Sequence, residues 1–341
     1  MSSGGEFELI ARLTRGLVGG AGVEEGIGDD CALLDPGGDE HLLATCDSQV
    51  EGNHFTLHTS TPQQIGRKAL AVNLSDIAAM GGIPRYALIS LILPPQCPAL
   101  DEIYAGLREE AERYGTVIVG GNIATTGRTG QLIIDITLLG TVERGRALLR
   151  SGAQAGDLLC VTGQPGESAA GLHTLLYPNP DYASEALEVV QARHQTPQPR
   201  LREGRILNRF GPQIVTALID VSDGVSGDLG HLCERSRLGA LVETERLPLS
   251  APLRSIAATA AHDPYAWFLH GGEDYELLFT VTPVHAQTVI EAIQSETGTP
   301  VSIIGSMRAA SEGLTLRHAD GSITPLEIAS WDHLQLEREI G

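Results

Sequence analysis

Residues 219–228 read IDVSDGVSGD and follow the apolar run IVTAL, so Asp220, Asp223 and Asp228 stand where a strand ends. Ionised carboxylates repel one another and are costly to bury unless cations hold them together. The same texture recurs as GIGDD at 26–30, TCDS at 45–48, NLSD at 73–76 and GGED at 271–274. A single acidic turn is a solvated turn; five of them point to shared chemistry. Oxygen ligands without paired cysteines or clustered histidines suit Mg²⁺ rather than zinc. Mg²⁺ held by few protein carboxylates completes its shell with water and substrate phosphates, which implies a nucleoside triphosphate as substrate.

Taken singly, the clusters carry bland readings too. Asn73 and Asp76 lie three apart in a helical pattern and share a face among apolar neighbours, so Asp76 is expected to be partly buried, for metal or for a structural hydrogen bond. Adjacent Asp29 and Asp30 cannot both face one site in extended chain, so one ligand is expected there. Asp47 follows the strand LLATC and could simply cap it. HGGED reads as a glycine-rich turn, and Arg150 at a junction reads as a salt-bridge former.

The elements that must position these groups are legible in part. Thr61, Pro62 and Gln64 in TPQQ predict a helix start with a capping box, and Gly81-Gly82 followed by Pro84 predicts its end. A second helix is expected over 99–114, with strands at 41–46, 86–93, 116–119 and 131–142. RSGAQAGD (150–157) reads as a polar connector. Beyond it, strands are expected near 158–162, 214–219, 275–282 and 301–305, and helices near 166–176, 223–237 and 284–297. YPNPDYASE and TPQPR read as surface loops. The pattern is α+β, in two domains, 1–150 and 151–341.

Composition narrows the function further. The 341-residue chain has a formal charge of −20, which argues against a nucleic-acid partner, and Lys68 is its only lysine. Positive charge for phosphate must therefore come from metals and arginines. The five cysteines are widely spaced with no CxxC pair, as expected in a reducing compartment. No signal-peptide pattern opens the chain and its longest apolar run is too short to span a bilayer, so a cytoplasmic protein without membrane partners is expected. There is no GxxxxGK[ST], no GxSxG and no HExxH.

GEFELIARL, GIGDDCALL, TCDSQVEGNHF, KALAVNLSDIAAMGGIP, ALLRSGAQAGD, IDVSDGVSGDLGHL and GGEDYEL together resemble the thiamine-monophosphate kinases, which belong to the aminoimidazole ribonucleotide synthetase-like superfamily. The resemblance runs over nearly the whole chain. It implies a two-domain mixed α/β fold whose N-terminal domain holds ATP and Mg²⁺ and dimerises through its sheet. It also implies transfer of the ATP γ-phosphoryl to thiamine monophosphate, with several Mg²⁺ ions. Asp30, Thr45, Cys46, Asp47, Asp76, Asp220 and Asp223 match metal-site positions; at Cys46 a hydroxyl residue is common, so a contact there falls to the backbone. Tyr104, Gly121, Arg150 and Ser222 match ATP-binding positions, and His54, Glu273 and Trp331 match the thiamine site. Asp220 and Arg150 are the expected catalytic pair. The family usually has GGDT where this chain has GGNI (120–123), so Asn122 offers an amide oxygen where a carboxylate is usual. Two other readings are another ATP-using activity of the same superfamily and a nucleotide-binding homodimer with little turnover.

Overall fold

The computed structural model describes residues 6–17, 19–97, 99–127 and 130–328. Helix α1 (Glu6–Leu13) precedes a six-stranded sheet made of β1 (Val23–Glu25), β2 (Ala32–Leu34), β3 (Glu40–Val50), β4 (Ile83–Leu93), β5 (Val117–Thr125) and β6 (Ile133–Glu143), in the order β1-β2-β3-β6-β4-β5. Helices α2 (Pro62–Ala79) and α3 (Leu100–Tyr114) cover one face. Thr61 and Gln64 form the reciprocal capping box that the sequence predicts, with Pro62 in the first turn of α2. The helix runs to Ala79, and Gly81 takes a left-handed conformation just beyond it. Two glycines let α2 and α3 approach backbone to backbone: a Cβ on Gly66 would stand 1.9 Å from the Ile103 carbonyl, and one on Gly106 2.0 Å from that of Gln63.

The second half carries a seven-stranded sheet. Its strands are β7 (Leu158–Thr162), β8 (Val215–Asp220), β9 (Leu238–Glu243), β10 (Leu277–Val281), β11 (Val301–Ala309), β12 (Leu314–Arg317) and β13 (Ile323–Pro325), in the order β13-β12-β9-β11-β7-β10-β8. Helices α4 (Glu167–Leu176), α5 (Ser184–Gln195), α7 (Val225–Ser236), α8 (Ala251–Ala260) and α9 (Pro264–His270) surround one apolar core on this sheet. On the other face α6 (Leu201–Phe210) and α10 (Ala286–Thr297) share a core with α2, in which Leu70, Ile77, Leu218, Phe279 and Ile290 are all buried. That shared core is why the two sheets sit firmly against α2, and why carboxylates from both halves can converge on it.

Several sequence expectations change. β3 does not stop at residue 46 but pairs with β6 through Val50, which makes Asp47 a strand residue rather than a cap. TPQPR is not a surface loop: Pro197, Pro199 and Arg200 are buried, and Arg200 is ion-paired to Glu276. β1, β2, β9, β12, β13, α1, α5, α6, α8 and α9 go beyond the elements the pattern predicts. Among the described residues no helix is long and apolar enough to cross a membrane.

Candidate functional site

The centre of the site is a group of three aspartates drawn from three separate segments. Asp30 lies in the β1–β2 connection, Asp76 lies on α2 and Asp220 ends β8; one carboxylate oxygen from each lies within 4.8 Å of the others. Asp220 is only 2% exposed and Asp30 8%. Each has a fixed partner. Thr45 donates its hydroxyl to Asp76, Ser75 donates to Asp220 at 2.6 Å, and Arg150 reaches Asp30 Oδ1 from Nη2 at 2.6 Å and from Nε at 3.2 Å. The other oxygen of Asp30 is buried without a hydrogen-bond partner among the described residues.

Electrostatics make the crowding explicit. Burial, then the charges of Asp47, Asp220 and Asp30, push the Asp76 carboxyl well above the usual range. Burial and Asp30 do the same to Asp220, against the pull of Ser75 and Arg150. Arg150 is held firmly protonated: burial works against its charge, but Asp30, Asp29 and Asp220 outweigh it. A buried set of carboxylates with one arginine is short of positive charge, and an all-oxygen donor set with an orphaned buried oxygen suits Mg²⁺.

Asp29 turns away from the group and accepts the backbone N–H of Arg150 at 3.1 Å. Burial and the neighbouring Asp30 raise its carboxyl to about 7. Asp223 and Asp228 face each other at the start of α7, where Asp228 accepts the Asp223 N–H at 3.3 Å. Asp228 is 2% exposed, and burial together with Asp223 and Asp220 pushes its carboxyl well up. Although it closes the IDVSDGVSGD stretch, Asp228 is not among the site residues expected from sequence; its place four residues into a helix pattern hides it. Ser75 is a second addition, visible in the sequence only as part of NLSD.

The glycine-rich segment 271–276 forms the neighbouring wall. Glu273 and Tyr275 adopt positive φ of 65° and 51°, conformations that cost non-glycine residues roughly 1–3 kcal/mol each. They are held there by ladder bonds: Glu273 N–H donates to the Ser222 carbonyl at 2.7 Å and Tyr275 N–H to that of Val221 at 2.8 Å. A Cβ at Gly272 would stand 2.7 Å from the same Ser222 oxygen, so the contact needs glycine. Asp274 accepts the N–H groups of Gly166 and Ser168 at the start of α4, a structural role. Glu273 instead points to Lys68 Nζ at 2.7 Å, with His194 Nδ1 at 3.3 Å from its other oxygen. Burial opposes the Glu273 charge, but the ammonium of Lys68 above all outweighs it, and the carboxyl titrates below its usual value. Burial, reinforced by Lys68, lowers His194 to about 3, so it meets Glu273 as a neutral imidazole. Lys68 and His194 are thus parts of the wall that the sequence did not single out for it.

The other expected residues are placed as follows. His54 accepts the Val50 N–H on Nδ1 and lies near enough to Glu273 to act on its charge. The Cys46 side chain lies on the sheet's outer face beside Asp135 and Thr137, on the side away from Thr45 and Asp76. Tyr104 packs on the core from α3. Gly121 pairs with Ile89, and only glycine fits there because a Cβ would meet the Ile89 carbonyl at 1.8 Å. Asn122 does not join the carboxylates of its own chain. It pairs with Ser90 on the edge strand β5, in a row with Asp135 and Ser48 on the outer face, and two strands separate β5 from β3. Three strand spacings put it roughly 14 Å across the sheet. Trp331 lies outside the described residues.

A two-layered pair of mixed sheets with carboxylates meeting at their junction defines the class. The family profile described as AIR synthase related protein, N-terminal domain, matches residues 28–142, and that for the C-terminal domain matches 154–316. The chain is 35% identical to the thiamine-monophosphate kinase of Bacillus subtilis, over 97% of this chain and 99% of that protein. Against the thiamine-monophosphate kinase of Salmonella typhimurium the identity is 40%, over 96% and 98%. The solved structure of AaThiL complexed with AMPPCP and TMP superposes with a TM-score of 0.82 at 32% identity, covering 96% of this chain and 97% of that one. The chain belongs to the AIR synthase related proteins and, within them, to the thiamine-monophosphate kinase family.

Proposed function

We propose that the protein transfers the γ-phosphoryl of ATP to thiamine monophosphate, giving thiamine diphosphate, at the junction of the two sheets. The observation that carries this is the meeting of Asp30, Asp76 and Asp220 with Arg150 beside the Glu273 wall. The acceptor is itself a phosphate oxyanion, so no strong general base is needed; the work is to align two anions and screen their repulsion. Mg²⁺ held by Asp30, Asp76 and Asp220, with Asp47 and Asp223 close by, would supply that screening on the phosphate oxygens. Arg150 adds a fixed guanidinium fork, and Ser222 lies in the same turn. His54 and Glu273 would line the thiamine side, the Glu273 carboxylate facing the cationic thiazolium. With a division near residue 150, both halves build the site: Asp30, Asp76 and Lys68 come from the first, Asp220 and Glu273 from the second. The reading is tested by coupling ADP formation to thiamine monophosphate, ATP and Mg²⁺; no ADP release with this acceptor, at any Mg²⁺ concentration, refutes it.

Lys68→Met should leave the fold intact, since it keeps the length of a buried stem, yet free Glu273 to swing. A charged hydrogen bond is worth about 1.5–3 kcal/mol, so the KM for thiamine monophosphate should rise on the order of tenfold to a hundredfold while that for ATP stays within about threefold. Equal changes in both would mean that Lys68 supports the fold generally.

A homodimer through the N-terminal sheet completes the reading. Tyr86, Leu88, Val117, Val119 and Ile123 are all exposed on β4 and β5, Ile123 at 67%, and β5 is an unpaired edge. An edge strand with apolar side chains is a template for pairing. Ile123→Glu should halve the mass seen by light scattering without lowering the helix signal in circular dichroism. An unchanged mass would place the contact elsewhere. The free state of all five cysteines fits a reducing, cytoplasmic setting.

A further inference from the structure

We propose that Glu24, Asp35 and His41 form a second divalent-cation site, apart from the reaction centre, for a late first-row ion such as Zn²⁺. One carboxylate oxygen of Glu24, one of Asp35 and one ring nitrogen of His41 lie within 4.8 Å of one another. The three come from β1, the turn after β2, and β3, which are neighbours in the sheet. Donors around a tetrahedral ion at about 2.0–2.1 Å stand roughly 3.4 Å apart, so a movement of about an ångström closes the set. Glu24 is exposed on a three-residue strand and can supply it.

The second observation is His41 itself. Its side chain is only 6% exposed, and among the described residues neither ring nitrogen has a hydrogen-bond partner. Buried polar groups are rarely left so, because an unsatisfied one costs about 1–3 kcal/mol. Its neighbours across the ladder give it nothing: the residue opposite on β6 is Val142. What the imidazole does face is the pair of carboxylates. Arg144 accounts for the far side of Asp35, donating Nη1 to Oδ2 at 2.9 Å and pairing Nη2 with Oδ1, while Gly37 N–H reaches Oδ1 at 2.8 Å. Those bonds fix the Asp35 carboxylate, whose oxygens keep lone pairs to spare. Such outer partners are what orient a ligating carboxylate. They leave His41 unanswered, which an ordinary salt bridge would not explain.

The donor set separates this site from the reaction centre. One imidazole nitrogen with two carboxylates suits zinc, cobalt or manganese, whereas the aspartate group offers oxygen alone. The ion would clip β1 to β3 just before Gly28–Asp30, so it would steady the segment that delivers Asp30. The inference rests on these residues and not on the kinase activity.

The test is calorimetric titration of Zn²⁺ into the full chain in excess Mg²⁺, which fills oxygen-only sites. The unaltered protein is expected to bind one Zn²⁺ beyond any shared background. His41→Phe should lose that equivalent, and Glu24→Gln, a surface change that leaves the fold alone, should weaken it at least tenfold. Co²⁺ should show visible absorption from an imidazole-bound ion in the unaltered protein and not in His41→Phe. Unchanged Zn²⁺ binding in both variants overturns the site. Should His41→Phe not fold, Glu24→Gln decides alone, and unaltered affinity there overturns it equally.

Discussion

Asp220→Asn should abolish phosphoryl transfer while making the metal-free protein more stable. The two effects have one cause. Asp220 is buried among like charges, and burial with Asp30 holds its carboxyl well above the usual range. An amide of the same shape keeps the Ser75 hydroxyl contact and removes a charge that the folded chain holds unfavourably. Transition-state charge stabilisation by a bound metal is worth several kcal/mol, so kcat should fall by about a thousandfold or more. The melting temperature in EDTA should rise, and the gain on adding Mg²⁺ should shrink. Normal turnover in this variant would remove Asp220 from the metal platform.

The same raised values set a pH dependence. A carboxyl whose folded value lies above its unfolded one holds a proton that the unfolded chain has already released. Stability from such a group is present at low pH and is lost as pH rises from about 4 through the raised value, which for Asp29 is about 7. The metal-free protein should therefore melt at falling temperature across pH 4 to 7. Saturating Mg²⁺ should flatten that slope. Parallel pH profiles with and without Mg²⁺ would show that the cluster does not hold the ion.

How much of this could be read from the chain alone depended on how local the signal was. The start of α2 was legible because a capping box is a four-residue pattern, and Pro62 fixes its first turn. The acidic turns were legible because carboxylates after apolar runs are unusual. Their convergence was not: Asp30, Asp76 and Asp220 meet only because α2 shares a core with both sheets. The length of β3 was misjudged because CDSQV looks polar, and its polarity belongs to one strand face working chemically and the other exposed. The place of Asn122 on the edge strand β5 was equally hidden, since it follows from sheet order, which no local pattern encodes. Lys68 was hidden for a similar reason, being tied to Glu273 across the two halves, and His194 because it reaches Glu273 from a helix far along the chain in the same half.

Arg150→Met should act in the opposite sense to Asp220→Asn on stability and in the same sense on activity. Among the described residues Arg150 is the one cation within hydrogen-bond reach of Asp30, whose side chain is fully buried, and its backbone N–H also ties down Asp29. Removing the guanidinium leaves Asp30 facing Asp76 and Asp220 with nothing to balance it. Breaking a buried pair costs about 3–5 kcal/mol, and the partial exposure of Arg150 places the loss at the lower end. The metal-free variant should therefore melt several degrees lower, with Mg²⁺ recovering more stability than it gives the unaltered protein. Catalysis should not recover with it. An arginine on a transferring phosphoryl group is worth on the order of a thousandfold in kcat, and a metal on the aspartates cannot take its place in the fork. Arg150→Lys separates the two roles. A lysine restores charge to the site, so the melting temperature should return most of the way, but its single ammonium cannot hold Asp30 and a phosphate oxygen in one plane. Its kcat should stay within about tenfold of Arg150→Met. If Arg150→Lys instead turns over like the unaltered protein, charge alone suffices at this position, and Arg150 serves to hold Asp30 rather than to meet the phosphate.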